Sequence, residues 1–234
     1  NMLYRDFELD LAHYLSLPMM AKDIMLKETG AELERMQDEE MIELVRKNVR
    51  GGLSYVNTRY FDILEKKESS GEDYSLLYLD ANNLYGHAMC QPMPLDDFEW
   101  MDEEDLKRHD YRRVNENSDI GHIFEVDLEY PEHLHLLHQS FPLAPHHQEI
   151  DENMLSDYAK ECLNKITGRK PRKHKTTKLM SSFLPRKNYL CHERLLAFYL
   201  EHGLVLKAVH RGIRFRQRAF IRGSKNRAAP VTAA

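Results

Sequence analysis

The sequence has few cysteines and no long hydrophobic run. Its three cysteines lie far apart, without a C-x-x-C pair and in an odd number, which indicates a reducing compartment and buried structural thiols rather than a disulfide framework (Cys90, Cys162 and Cys191). No stretch approaches the ~18 apolar residues of a membrane span, and no secretory signal is recognisable. We therefore expect no membrane partner and an intracellular, nuclear or viral protein. Because the chain begins at Asn1 rather than methionine, we treat it as a fragment.

Charge is distributed unevenly along the chain, although the net charge is only −5. Residues 165–234 hold 18 lysines and arginines against two acidic residues, whereas the rest of the chain holds 15 against 36. A basic segment of this size indicates a polyanion such as nucleic acid, and an ordinary solvated surface is the alternative. The basic stretch "GRKPRKHKTTK" has no interleaved aromatic residue, so it predicts at most phosphate contact, and a solvated loop explains it equally well.

The N-terminal part of the chain has a helical pattern. Residues 9–48 place apolar side chains at helical spacing, most clearly in "AELERMQDEEMIELVRKNV", and predict two helices. The glycine pair in "VRGG" should end the second helix, and "LEKKESSGED" predicts a polar loop.

The remaining segments predict an α+β fold with antiparallel strands. "YSLLYLD" has the pattern of a central strand that is buried on both faces, and "GHIFEVDLEY" alternates as a strand with one buried face. A helical turn and a loop follow it. "LMSSFL" and "NYLCH" predict short strands, "ERLLAFYLEHG" a helix that ends at Gly203, and "LVLKAVHRGIRF" a strand. Residues 217–234 lose all periodicity and predict a disordered tail.

The stretch "YSLLYLDANNLYGHAM" ends an apolar run on Asp80. A carboxylate at such a place costs free energy unless it is paired, hydrogen-bonded or bound to a cation. In one interpretation Asp80 caps the following helix, "LYGHAM", by accepting its first amide hydrogens. In the other, Asp80 and the backbone carbonyl of Ala81 ligate Mg²⁺. Tyr85 would then lie beneath the sugar of a nucleotide, where its ring would clash with a 2′-hydroxyl.

These residues resemble a motif of the family B DNA polymerases, in the protein-primed viral, organellar and mobile-element branch. The stretch "YLDANNLYGHAM" is similar to the first catalytic motif, D-x-x-S-L-Y-P: Asp80, Leu84 and Tyr85 match, whereas Asn83 replaces the serine and Gly86 the proline. "VRGGLS" resembles the Y-x-G-G segment between the exonuclease and polymerase domains, with valine in place of the tyrosine. Segments beginning "IFEVDLEYPEH" and "KLMSSFLPRKNYLCH" resemble the palm that follows in polymerases of self-synthesising DNA transposons.

The resemblance implies a partial polymerase palm, an antiparallel sheet with flanking helices that follows a helical segment. Residues 1–73 would form the helical segment and the exonuclease–palm junction, residues 74–216 the partial palm with an inserted loop, and residues 217–234 the tail. The activity implied is Mg²⁺-dependent, DNA-directed DNA polymerisation, in which deoxynucleoside triphosphates extend a primer 3′-hydroxyl or a terminal priming protein on a DNA template. The template contacts implied are Arg50, Gly51 and Gly52.

The resemblance also assigns a role to each residue of the first motif. Asp80 would be catalytic and would bind the metal together with the Ala81 carbonyl. Asn83 and Leu84 would shape the nucleotide pocket, and Tyr85 would exclude ribonucleotides.

Only one of the two catalytic aspartates of this family is recognisable in the chain. Two-metal phosphoryl transfer needs a second, which the family carries in a later D-T-D turn, after a lysine-bearing helix with N-S-x-Y-G. No exonuclease carboxylate motif is evident. We therefore expect these 234 residues to bind metal weakly and not to extend primers. The alternatives are a catalytically inactive, nucleic-acid-binding remnant of a mobile-element polymerase and an unrelated α+β interaction module.

Two further groups of polar residues have spacings that could hold a metal. Asp127 and Glu129 alternate with apolar residues, so an exposed strand face explains them more simply. His133, His135 and His138 form H-x-H-x-x-H, but the absence of a nearby cysteine in a loop-like segment favours surface histidines.

Overall fold

A computed structural model describes residues 2–58, 60–115, 118–167 and 176–221. Its fold is organised around a four-stranded antiparallel sheet. The sheet strands are β1 (Met93–Trp100), β2 (Ile120–Glu129), β5 (Arg186–His192) and β6 (Val205–Arg218), in the spatial order β1-β6-β2-β5. Strands β3 (His146–Ile150) and β4 (Thr176–Met180) form a separate two-stranded ribbon. The predicted α+β class with an antiparallel sheet and flanking helices is confirmed.

The described residues contain nine α-helices, and both helices predicted within residues 9–48 are among them. None of these helices has the length and apolar character that crossing a bilayer requires. The helices are α1 (Met2–Phe7), α2 (Leu17–Thr29), α3 (Glu39–Asn48), α4 (Ile63–Ser70), α5 (Leu84–Met89), α6 (Glu103–Arg108), α7 (His135–His138), α8 (Asp157–Thr167) and α9 (Glu193–Glu201).

One face of the sheet packs against α9. Phe124, Val126 and Leu128 alternate along β2 and are at most 1% exposed, as the period-2 pattern predicts. Leu196 and Leu200 of α9 cover them in one apolar cluster. The helix ends where predicted, since Gly203 adopts a positive φ of 92° that a residue with a Cβ would find strained. The strands and helices of this core were therefore predictable from sequence.

The opposite face of the sheet is covered by α3, which the sequence did not indicate. Met41 and Leu44 of α3 pack on Leu190, Ile213 and Phe215. The prediction of a single buried face on β2 is accordingly incomplete, and Glu125 on the second face is only 7% exposed. The buried carboxylate of Glu125 is tolerated because Arg211, which lies opposite it on β6, forms an ion pair with it at 2.7 Å.

The predicted central strand at residues 74–80 is wrong. Residues 71–81 belong to no helix or strand, and the side chains of Leu76, Leu77, Tyr78 and Leu79 are 68–95% exposed. A buried strand needs ladder partners and cover on both faces. The strands of the described sheet pair with one another and not with this run, so its hydrophobicity alone does not produce a strand.

Three other segments differ from the sequence predictions. The predicted loop "LEKKESSGED" contains α4, whose start is fixed by Asp62, which accepts the Leu64 and Glu65 amides at 2.8 and 3.2 Å. Only the first two residues of "LMSSFL" belong to a strand. The tail prediction is wrong for residues 217–221, because β6 extends to Arg218 and Phe220 is buried beside Leu95. The rest of the tail and most of the basic stretch at 167–178 lie outside the described residues.

Candidate nucleic-acid interface

Several described cations of the basic C-terminal segment pair with acidic residues from earlier in the chain. Two arginines of β6 form ion pairs with β1, Arg216 with Asp96 and Arg214 with Glu99. A third, Arg211, forms an ion pair with Glu125 of β2. These contacts place cationic and anionic side chains opposite each other across the sheet. These three arginines are therefore paired within the sheet and do not form an open basic patch.

Cationic side chains instead converge on a cleft of about 360 Å³ between the end of α3, the ribbon strand β3 and strand β5. Its cationic groups come from segments that are far apart in sequence, Lys47, Arg50, Arg186 and Lys187, and the histidines His146 and His147 of β3 also line it. None of the described residues that line it is an aspartate or a glutamate. A concave surface of one charge sign concentrates anions and steers them toward it.

Arg50, the predicted template contact, lies at this cleft in a fixed position. One of its Nη atoms donates to the carbonyl of Leu190 at 2.5 Å, and its Cζ lies 4.2 Å from the centroid of the Tyr189 ring. Hydrogen bonding and the cation–π contact hold the guanidinium at the wall of the cleft. Gly51 and Gly52 follow in open, non-helical chain.

Arg186 forms the floor of the cleft and is only 2% exposed. Its Nε donates to the Ala144 carbonyl at 2.7 Å, and its two Nη atoms donate to the carbonyls of Leu143, Ser182 and Leu184. Burial lowers the pKa of Arg186 to about 10, which leaves the guanidinium charged at neutral pH. With its donors committed to the backbone, Arg186 anchors the loop before β5 and contributes charge, not a free donor, to the cleft.

Two exposed lysines are the residues best placed to meet a phosphate at the mouth of the cleft. Lys187 is exposed, and its charge contributes to the lowered pKa of the nearby Asp127. Lys47 makes one exposed contact with Glu43 at 3.1 Å, and such a helix-surface pair is worth only about 0.3–0.5 kcal/mol. An incoming phosphate could therefore replace Glu43 at little cost.

His146 is a neutral wall residue of the same cleft and predicts a pH-dependent stability. Burial and the charge of Arg186 lower the pKa of His146 to about 4. An unfolded chain binds this proton near pH 6.5, so the stability is complete above about pH 6.5 and falls as the pH drops toward 4. We expect the Tm, followed by circular dichroism at a series of pH values, to fall over this interval, and to fall less steeply in His146→Gln. His133→Gln, at an exposed histidine, should keep the wild-type slope; an unchanged slope in His146→Gln would contradict the assignment.

The residues of the first motif lie together on an exposed segment. Asp80 and Ala81 precede α5 in irregular chain, and Leu84 and Tyr85 begin that helix with side chains 60% and 83% exposed. The helix is capped by Asn83, whose Oδ1 accepts the Gly86 amide at 3.1 Å. The interpretation of Asp80 as the cap is therefore wrong, because the asparagine nearer the helix takes that position.

The donors at Asp80 suit Mg²⁺ in type but are few. A carboxylate and a backbone carbonyl are the hard oxygen ligands that Mg²⁺ takes in combination with water and substrate phosphates. Within the described ranges, Asp80 belongs to no group of three carboxylate, histidine or cysteine ligands. This segment could hold the ion only weakly by itself.

The other polar groups noted in the sequence have structural partners. Asp127 accepts the Asn188 amide at 2.9 Å and pairs with His210 at 2.9 Å, and these bonds lower its pKa. Glu129 pairs with Lys207. His138 bonds the hydroxyl of Tyr130 at 2.7 Å, and the His135 ring stacks on Phe183.

The three cysteines are free thiols. Cys191 is buried, as predicted, and burial raises its pKa to about 12; Cys90 and Cys162 are half-buried.

Sequence reasoning identified Arg50 but not the cleft around it. The cleft depends on contacts between residues about 140 positions apart, such as Arg50 and Leu190, and no local spacing encodes them. The pair "RK" at the start of β5 was the available local signal, since it places two cationic residues beside a strand. No family model, no curated protein and no solved structure matches this chain.

Proposed function

We propose that this chain is part of a family B DNA-directed DNA polymerase and that its basic cleft contacts the phosphate backbone of the template. The observation that carries the proposal is the place of Arg50: the residue that the motif resemblance assigns to the template stands at the wall of a cleft whose described lining includes lysines and arginines and no acidic residue. Phosphate contacts of this kind position a nucleic acid without reading its sequence. The antiparallel sheet with flanking helices is compatible with half of a palm.

In the intact enzyme, a primer 3′-hydroxyl or the hydroxyl of a priming protein would attack the α-phosphate of a deoxynucleoside triphosphate and release pyrophosphate. Asp80 and the Ala81 carbonyl would hold Mg²⁺, which neutralises charge on the phosphate oxygens. Asn83 and Leu84 would shape the nucleotide pocket. Tyr85, exposed at the start of α5, would close against the sugar and exclude a 2′-hydroxyl.

A second candidate function is that of a DNA-binding remnant without catalysis. The exposed position of the motif favours it, because Asp80 belongs to no group of three metal ligands among the described residues. Both candidates share the cleft, so DNA binding alone does not separate them.

Primer extension by the 234-residue chain tests the catalytic part of the proposal. With one carboxylate at the motif, we expect the chain to bind a primer–template duplex but to add no nucleotide in the presence of Mg²⁺ and deoxynucleoside triphosphates. Extension that disappears in Asp80→Ala would show that these residues catalyse the reaction alone and would contradict the expectation.

The coding sequence beyond Ala234 separates the two candidates. A reading frame that continues into an N-S-x-Y-G helix and a D-T-D turn would support the polymerase. A frame that stops, or continues without them, would support the remnant.

A further inference from the structure

Three side chains with metal-binding atoms converge that neither belong to the motif nor line the basic cleft. His109 follows α6, His122 lies on β2, and Glu193 is the first residue of α9. One ligand atom from each lies within 4.8 Å of the other two. This is the one group of three such ligands within the described ranges.

The three residues are held in place by the surrounding core. Nδ1 of His122 lies 2.7 Å from Oε2 of Glu193, and the centroids of the His109 and His122 rings are 4.7 Å apart. Both rings contact Phe124, whose side chain is fully buried. Glu193 is only 7% exposed. The cluster therefore has limited freedom of side-chain rotation and little exchange with solvent.

We propose that His109, His122 and Glu193 form a binding site for a divalent transition-metal ion of the Zn²⁺ type. Two imidazoles and one carboxylate are a donor set that such ions accept, with a fourth position left for water. Zinc bonds of about 2.0–2.2 Å place donor atoms roughly 3.3 Å apart in a tetrahedron, so small rotations of these side chains complete the geometry. The ion takes the place of the hydrogen bond between His122 and Glu193.

Of the three ligands, His109 is the one that borders an open surface. This residue lines a cleft of about 300 Å³ between the segment after α6 and the start of β6. The ion can enter there and keep its water ligand on that side. Mg²⁺ is disfavoured, because it prefers oxygen donors.

The metal would tie three segments of the chain. The residue after α6, strand β2 and helix α9 each supply one ligand, so occupation cross-links elements that border the principal core. Binding to the folded state alone raises stability. The site is independent of the proposed polymerase activity.

Metal titration of the full chain tests this inference. After treatment with a chelator, the protein should bind one equivalent of Zn²⁺ in competition with a chromogenic chelator, and Zn²⁺ should raise its Tm. Co²⁺ should give visible absorption bands that Zn²⁺ abolishes. His109→Ala and Glu193→Gln should each weaken Zn²⁺ binding by about 100-fold or more, because loss of a ligand exceeds the 10–100-fold effect of its supporting residues.

His133→Ala provides the matched control, since it removes an exposed histidine outside the cluster. It should retain wild-type affinity and the Tm shift. Circular dichroism of Glu193→Gln, which preserves the size of the side chain and its hydrogen bond to His122, shows that lost binding does not reflect unfolding. Failure of the wild-type chain to bind one equivalent, or equal affinity in wild type and His109→Ala, would overturn the proposal; equal affinity would assign binding to other histidines.

Discussion

Arg186→Met is expected to lower the free energy of unfolding by about 3 kcal/mol, which is a large fraction of the 5–15 kcal/mol typical of a folded domain. Methionine can follow the path of the aliphatic stem but donates no hydrogen bond. The carbonyls of Leu143, Ala144, Ser182 and Leu184 would lose their donor together. Removing the buried charge recovers some desolvation energy, but each buried acceptor left unpaired costs about 1–3 kcal/mol.

Urea unfolding of paired variants would measure this effect. Arg186→Lys should be intermediate, because an ammonium has three donors and no planar fork to match the four carbonyls. Lys187→Met, at the exposed neighbouring position, should stay within about 0.5 kcal/mol of wild type. If Arg186→Met were as stable as Lys187→Met, the buried arginine would not support the loop before β5.

Reversing the charge of Lys47 and Lys187 at the mouth of the cleft is expected to weaken the binding of duplex DNA at least tenfold. Lys47→Glu with Lys187→Glu replaces two cations by two anions while leaving Arg50 and Arg186 in place. Each lost phosphate contact should also reduce the slope of log K against log salt by about 0.9.

The control has the same change in net charge at another surface. Lys22→Glu with Lys66→Glu alters exposed lysines that do not line the cleft. This pair should lose little affinity if the cleft is the contact surface. Equal losses in both double variants would mean that the DNA responds to overall charge, and the cleft would lose its assigned role.

Local patterns predicted three of the four sheet strands and their main cover, helix α9, whereas strand β1 was not predicted. Strand β2 follows from the alternation around Phe124 and Val126, and the end of α9 follows from Gly203. The same reasoning failed for residues 74–80, because an apolar run specifies burial only where neighbouring elements cover it. Helix α4 was missed although Asp62 and Gly71 are regular start and stop signals.

The candidate sites were less predictable than the fold. The arginines of β6 looked like a polyanion-binding segment, but their partners on β1 lie about 115–120 positions away and neutralise them. The cluster of His109, His122 and Glu193 has no short spacing at all, since topology alone brings its members together. Arg50 was identified from its motif, whereas Lys47 and Lys187 become relevant only once α3 and β5 are adjacent.

Binding of a fluorescent primer–template duplex, measured by anisotropy between about 50 and 200 mM salt, tests the central claim most directly. We expect the wild-type chain to bind, with log K falling linearly as log salt rises, and the Lys47→Glu, Lys187→Glu double variant to show both lower affinity and a shallower slope. Absence of binding by the wild-type chain at the lowest salt, or binding that does not respond to salt, would contradict a phosphate-binding cleft and with it the proposed place of this chain in a DNA polymerase.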